Sequence, residues 1–202
     1  MDLTEKQRQI IDIAKHLFFQ YGLRSVTMDE IALQAGISKK TLYQNFKDKE
    51  TLIEKIILNE MEKVKVLINE ILSEKGLNAI DRTVKIYGLL SELHKKHPPI
   101  LEHDLQRYYP EIFSSIRKFR NGNMYKAIVD NLEDGKAEGL FREDLNSEII
   151  ALLQINRGGI LRESFGLKDK YGAEELVRQS LIYHLYGICS DKGRQYIEKL
   201  NL

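Results

Sequence analysis

The chain has 202 residues, of which 43% are hydrophobic and 30% charged, so it is long and apolar enough to fold by burial alone. No apolar run is long enough to span a membrane and the first residues lack the order of a signal peptide, so we expect a cytoplasmic protein with no membrane partner. Cys189 is the sole cysteine, which excludes an internal disulfide and a multi-cysteine zinc site, and the formal net charge of +1 does not by itself indicate nucleic acid.

Four helices are predicted in the first third of the chain. Apolar residues at helical spacing predict a first helix that stops at Gly22, and a Thr-x-x-Glu capping box at Thr27 starts a second. Gly36 ends the second helix, Ser38 caps a short third one, and a long fourth helix spans about 48–73. The second helix, the turn at Gly36 and the third helix together form the order helix, glycine turn, helix.

The rest of the chain is predicted to be helical as well. Helical spacing continues from Ala79 until Pro98-Pro99 ends that helix and starts another short one. Pro110 opens the next helical segment, which covers 111–137, and two further helices span roughly 147–165 and 173–189. No alternation typical of strands occurs. We therefore predict an all-α fold with a DNA-binding domain at 1–49, linked by the helix at 48–73 to a ligand-binding and dimerisation domain at 50–202.

The short third helix has a composition suited to DNA. Leu42 and Phe46 form its buried side, which leaves cationic and hydrogen-bonding side chains on the other side. Between residues 37 and 49 four lysines stand against one aspartate, so the positive charge is local. Taken alone, the pair Lys39 and Lys40 could be an ordinary solvated helix face, and Tyr43 could be an aromatic that closes the small domain.

The segment TMDEIALQAGISKKTLYQNFKDKETL, at 27–52, closely resembles the DNA-binding signature of the TetR family of bacterial regulators. The resemblance covers about residues 4–55. It implies a homodimer with one such helix in each of two major grooves of a near-palindromic operator, and release when a small molecule binds the C-terminal domain.

Carried over by position, the resemblance assigns nine residues to DNA. The phosphate contacts are Thr27, Lys39, Tyr43, Asn45 and Lys49, and the contacts to base edges or nearby phosphates are Ser38, Lys40, Thr41 and Gln44. Position 45 departs from the family, which often has histidine there. The asparagine can bond a phosphate, but not as a cation.

A ligand site is predicted in the middle of the chain, where side chains combine apolar bulk with polar tips. Its candidate residues are Tyr87, His94, His103, Arg107, Tyr108, Phe113 and Tyr125. Ordinary core packing is the alternative for the aromatic members. The cluster of His94, His97, Glu102, His103 and Asp104 could suggest a metal, but no second tight pair completes a site, so we predict no metal and no cofactor.

The two helices at 147–165 and 173–189 carry more apolar surface than one subunit would normally bury. By resemblance they form a four-helix dimer interface. We therefore predict a sequence-specific, ligand-released repressor that acts as a homodimer and is not an enzyme. Two alternatives remain open: an all-helical enzyme or carrier, for which no catalytic motif is recognisable, and a regulator that activates or responds to a protein partner.

Overall fold

The computed structural model of the protein describes residues 3–96, 99–162 and 170–200. The helices are α1 (Glu5–Tyr21), α2 (Met28–Gln34), α3 (Lys39–Asn45), α4 (Lys49–Ser73), α5 (Ala79–Lys96), α6 (Pro99–Tyr108), α7 (Pro110–Phe119), α8 (Tyr125–Ala137), α9 (Ser147–Arg162), α10 (Ala173–Ile188) and α11 (Asp191–Lys199). Within these described ranges the only extended pairing is an isolated bridge between Phe141 and Cys189. The predicted all-α fold is confirmed.

The chain forms two compact units, and both contain segments that are distant in sequence. Unit 1 consists of Met1–Val64 and His94–Lys118, and unit 2 of Lys65–Leu93 and Phe119–Leu202. Helices α6 and α7 therefore belong with the N-terminal helices, although the sequence interpretation grouped them with the C-terminal region. The assignment of DNA binding to 1–49 and of ligand binding to 50–202 stays a prediction.

Unit 1 has one continuous apolar core. Its centre is made of side chains from α1 to α4, including Phe18, Leu42 and Leu52, all of which are buried. Leu105 of α6 and Ile112 of α7 pack into the same cluster. The core thus supports the short helices α2 and α3, which are too short to be stable as isolated helices.

Unit 2 is built around a second core, which includes Ile80, Phe141 and Leu185. Sequence spacing predicted helical structure throughout 111–137, but α7 ends at Phe119 and a π-helical turn, Arg120–Met124, precedes α8. The Asn-Gly-Asn sequence within that turn explains the interruption, because these residues have low helix propensity. The predicted helices at 147–165 and 173–189 appear as α9 and α10, with 163–165 outside the described residues.

None of the helices in the described part of the chain is long and apolar enough to cross a membrane.

We expect the thiol of Cys189 to be unreactive in the folded protein. The side chain is fully buried in the core of unit 2, and burial raises its pKa to about 12. At pH 8 only roughly one thiol in ten thousand would be a thiolate at that pKa, and the thiolate is the species that reacts. Iodoacetamide at pH 8 should therefore label the native chain far more slowly than the chain in concentrated urea, and equal labelling rates would contradict the burial of this residue.

Candidate DNA-binding surface

The first helix of the helix-turn-helix begins at a capping box. The hydroxyl oxygen of Thr27 accepts from the backbone N–H of Glu30 at 3.2 Å, and the Glu30 carboxylate accepts from the N–H of Thr27 at 2.6 Å. The Thr27 hydroxyl also donates to the Glu30 carboxylate, at 2.9 Å, and the donations from the Thr27 N–H and hydroxyl lower the pKa of Glu30, so the carboxylate that holds the cap stays ionised. The capping box predicted from sequence is confirmed.

The turn and the second helix follow from two local features. Gly36 has a φ of +62°, a left-handed conformation that glycine adopts without strain, and it reverses the chain after α2. Ser38 then caps α3, because its side chain accepts from the N–H of Thr41 at 3.1 Å. Leu42 and Phe46 are buried, as predicted, and they fix the orientation of α3 on the core.

Most of the nine predicted DNA contacts lie on one exposed surface, which we call the head. Its exposed members are six of the predicted residues: Thr27, Ser38, Lys39, Lys40, Tyr43 and Gln44. Lys39 forms an ion pair with Asp29 of α2 at 2.5 Å. Because both side chains are largely exposed, this pair contributes little to stability and leaves the lysine available for a phosphate.

Three of the predicted contacts are partly buried. Asn45 donates its side-chain N–H to the carbonyl of Thr41 at 2.8 Å, so one of its hydrogen-bonding groups is used within α3. Lys49 lies at the start of α4, where its ammonium group is 5.8 Å from the centre of the Phe18 ring. Burial lowers the pKa of Lys49, and the negative charges of Asp104 and Glu30 partly offset that effect.

The predicted ligand residues do not fall in one unit. His103, Arg107, Tyr108 and Phe113 belong to unit 1, where Phe113 packs against the apolar core. Tyr87 and Tyr125 belong to unit 2 and pack against its core instead. The side chain of His94 lies outside the described residues.

Only part of the predicted cluster of histidine and acidic residues falls within the described residues. His97 and the side chain of Glu102 lie outside the described residues, and the His103 imidazole is 3.8 Å from the buried carboxylate of Asp104. In the portion that the structure describes, no group of three or more histidine, cysteine, aspartate and glutamate side chains could hold a metal ion.

Two residues near the head were missed by the sequence interpretation. Arg24 lies in the loop that leads into α2, and Asp104 was considered only as part of the histidine cluster. In the structure, Asp104 accepts a hydrogen bond from the backbone N–H of Arg24 at 3.2 Å. Arg24 could have been noticed as a basic residue three positions before the helix cap at Thr27. No local sequence pattern connects Arg24 with Asp104, which is 80 positions away.

A short helix that follows a glycine turn, with its apolar side buried in the core and its polar side exposed, is the arrangement of a helix-turn-helix DNA-binding protein. Residues 10–56 match the family described as bacterial regulatory proteins, tetR family. The chain is 23% identical over 197 residues to the HTH-type transcriptional repressor KstR2 of Mycolicibacterium smegmatis, covering 96% of this chain and 95% of that one. It is 24% identical over 173 residues to the regulator UidR of Escherichia coli, covering 85% and 84% of the two chains.

A solved transcriptional regulator from Cytophaga hutchinsonii has the same fold, with a TM-score of 0.76, 25% identity, and coverage of 92% of this chain and 99% of that one. Residues 10–56 therefore form a DNA-binding domain of the tetR type, and over most of its length the chain is similar to transcriptional regulators. Since the matched relatives are regulators, the prediction of a regulator and not an enzyme is confirmed.

Proposed function

We propose that the chain is a repressor that binds a near-palindromic operator as a homodimer and is released by a small molecule. The geometry of the head is the observation that carries this proposal. Five exposed polar residues, Ser38, Lys39, Lys40, Tyr43 and Gln44, belong to α3 and its cap, and the apolar side of this helix is buried, so that α3 can enter a major groove. The similarity to KstR2, which is a transcriptional repressor, supports the sign of regulation.

The proposed contacts divide by chemistry. Gln44 can form paired hydrogen bonds with adenine, and Lys40 can reach the acceptors of guanine, so these two residues would read bases. Lys39, Tyr43 and the capped start of α2 at Thr27 would hold phosphates. Ser38, Thr41, Asn45 and Lys49 complete the proposed interface.

Homodimerisation is proposed through α9 and α10, which pack against each other in unit 2. Their exposed side chains include an unusual amount of apolar surface: Ile149, Leu152, Leu153, Tyr183 and Tyr186. A water-exposed patch of this kind is typical of a surface that a partner covers. A second copy of the chain would bury the same patch on both sides of a twofold axis.

A small-molecule effector is proposed for the C-terminal domain, where unit 2 contains buried polar groups. The Thr83 hydroxyl donates to the carbonyl of Ala79, so its oxygen accepts from the Asn131 amide nitrogen at 3.0 Å. This arrangement fixes the amide, and among the described residues the Asn131 carbonyl oxygen has no hydrogen-bond partner. The buried hydroxyl of Ser180 likewise has no partner within the described part of the chain. Buried polar groups of this kind are satisfied when a ligand or water supplies the missing bond.

Selection of DNA from a random-sequence library by the purified chain, at moderate salt, tests the proposal. The wild type should enrich a palindrome with two half-sites. The variant Gln44→Ala should lose discrimination at one position of each half-site by about 1–3 kcal/mol while keeping sequence-independent binding. Lys126→Ala, which removes a charge from the exposed face of α8 in unit 2, is the matched control and should enrich the same palindrome.

A wild-type chain that retains DNA in a salt-sensitive way but enriches no preferred sequence would contradict the proposal. Once the operator is known, a compound library can be screened for molecules that release it. An operator that no compound releases would favour the alternative of a regulator that responds to a protein partner or activates transcription.

A further inference from the structure

Helix α6 holds the loop that leads into the helix-turn-helix at two points, both at Arg24. The Asp104 carboxylate, on a residue only 5% exposed, accepts from the backbone N–H of Arg24 at 3.2 Å. The Arg24 guanidinium donates to the Tyr108 hydroxyl at 3.2 Å and lies 5.4 Å from the centre of that ring. All of these residues belong to unit 1, so the arrangement is internal to it.

Lys49 contacts Arg24 from the other side. Its ammonium group donates to the Arg24 carbonyl at 3.4 Å, so Asp104 and Lys49 hold the two backbone polar groups of the same residue. The charge of Asp104 acts on Lys49 and favours its protonated form, as does the charge of Glu30. Because Asp104 is buried and Glu30 is exposed, solvent screens the field of Asp104 less.

We infer that Asp104 is a positioning residue whose buried charge helps to hold Lys49 at the Arg24 carbonyl, so that the lysine reaches a DNA phosphate only by leaving Arg24. The inference rests on the proposed function, in which Lys49 is a phosphate contact. The phosphate competes with Asp104 for one ammonium group, and the two attractions oppose each other.

A purely structural role for Asp104 would have a different consequence. In that case the carboxylate would matter only as the acceptor for the N–H of Arg24. Asparagine at position 104 keeps a side-chain oxygen of similar reach and removes the charge, so it separates the two roles. Under a purely structural role, Asp104→Asn would leave operator affinity unchanged or lower it.

The test measures operator affinity across a range of salt concentrations for the full chain and its variants. Asp104→Asn should bind the operator about threefold to tenfold more tightly than the wild type, and the slope of log affinity against log salt should steepen by up to about 0.9, the value for one added phosphate contact. Glu54→Gln removes an equal charge from an exposed position of α4 and should change affinity less than twofold. In a chain that already carries Lys49→Ala, the Asp104→Asn substitution should not increase operator affinity.

An Asp104→Asn variant that behaves like Glu54→Gln, or a gain that persists without Lys49, would overturn the inference. If the asparagine variant does not fold, Asp104→Ser gives a second neutral residue with an acceptor oxygen. Failure of the wild type to bind any specific site would contradict the proposed function instead, since the inference concerns only the difference between variants on a bound operator.

Discussion

Glutamate in place of Leu153 is expected to convert the proposed dimer into a monomer and to lower operator affinity by about a hundredfold or more. Leu153 is 63% exposed on α9, and Ile149 and Leu152 lie on the same face of that helix. On α10, which packs against α9, Tyr183 is 80% exposed. A buried, unpaired carboxylate in the middle of an apolar interface is strongly destabilising.

The same face of α10 also permits close approach of another helix. Gly187 follows Tyr183 by one turn, and the position that a Cβ atom would occupy on it has no neighbour within 4 Å. A partner helix can therefore approach the backbone at this point, beside the exposed tyrosines.

Sedimentation and operator titration measure the two expected effects of Leu153→Glu separately. Val66→Glu introduces the same charge at an exposed apolar position of α4 and should leave both the mass and the affinity unchanged. Loss of operator affinity without loss of the dimer would show that Leu153 acts in another way. A wild type that is already monomeric at the concentrations that bind DNA would contradict the proposed interface.

The helix-turn-helix could be predicted from sequence because its determinants are local. The cap at Thr27, the glycine at position 36 and the cap at Ser38 act on residues three or four positions away. Each determinant and the structure that it produces therefore lie within one short segment of sequence. The apolar spacing of Leu42 and Phe46 gave the buried side of α3 for the same reason. The family resemblance then identified the head.

The surroundings of the head could not be predicted because they depend on contacts between distant segments. The hydrogen bond from Arg24 to Asp104 joins residues 80 positions apart. Leu105 packs into a core whose members from α1 to α4 are all about 50 or more positions away in sequence. The environment of Lys49 likewise follows from Phe18, Arg24 and Asp104 and not from its own neighbours in sequence. The predicted ligand residues were chosen by side-chain chemistry alone, and the structure distributes them over both units.

The corner between α10 and α11 shows how a distant contact can reverse the expected effect of a substitution. The N–H of Ser190 donates to the carbonyl of Leu140 at 2.9 Å, and the Ser190 side chain caps α11 by accepting from the N–H of Gly193 at 3.2 Å. A Cβ atom on Gly193 would lie 2.1 Å from the Leu140 carbonyl oxygen and 3.0 Å from the Cβ of Cys189. The backbone at Leu140 is held by these bonds, so it does not move aside without cost.

Alanine at position 193 is therefore expected to destabilise unit 2 by about 1–3 kcal/mol, the usual cost of overpacking. Helix propensity alone predicts the opposite, since alanine is favoured over glycine inside a helix by about 1 kcal/mol. Gly88 is the matched control: it lies inside α5, and no atom is within 4 Å of the Cβ position. Gly88→Ala should raise the thermal unfolding temperature and Gly193→Ala should lower it. If both variants were stabilised, the contact of α11 with the carbonyl of Leu140 would be looser than the structure shows, and propensity would decide at both positions.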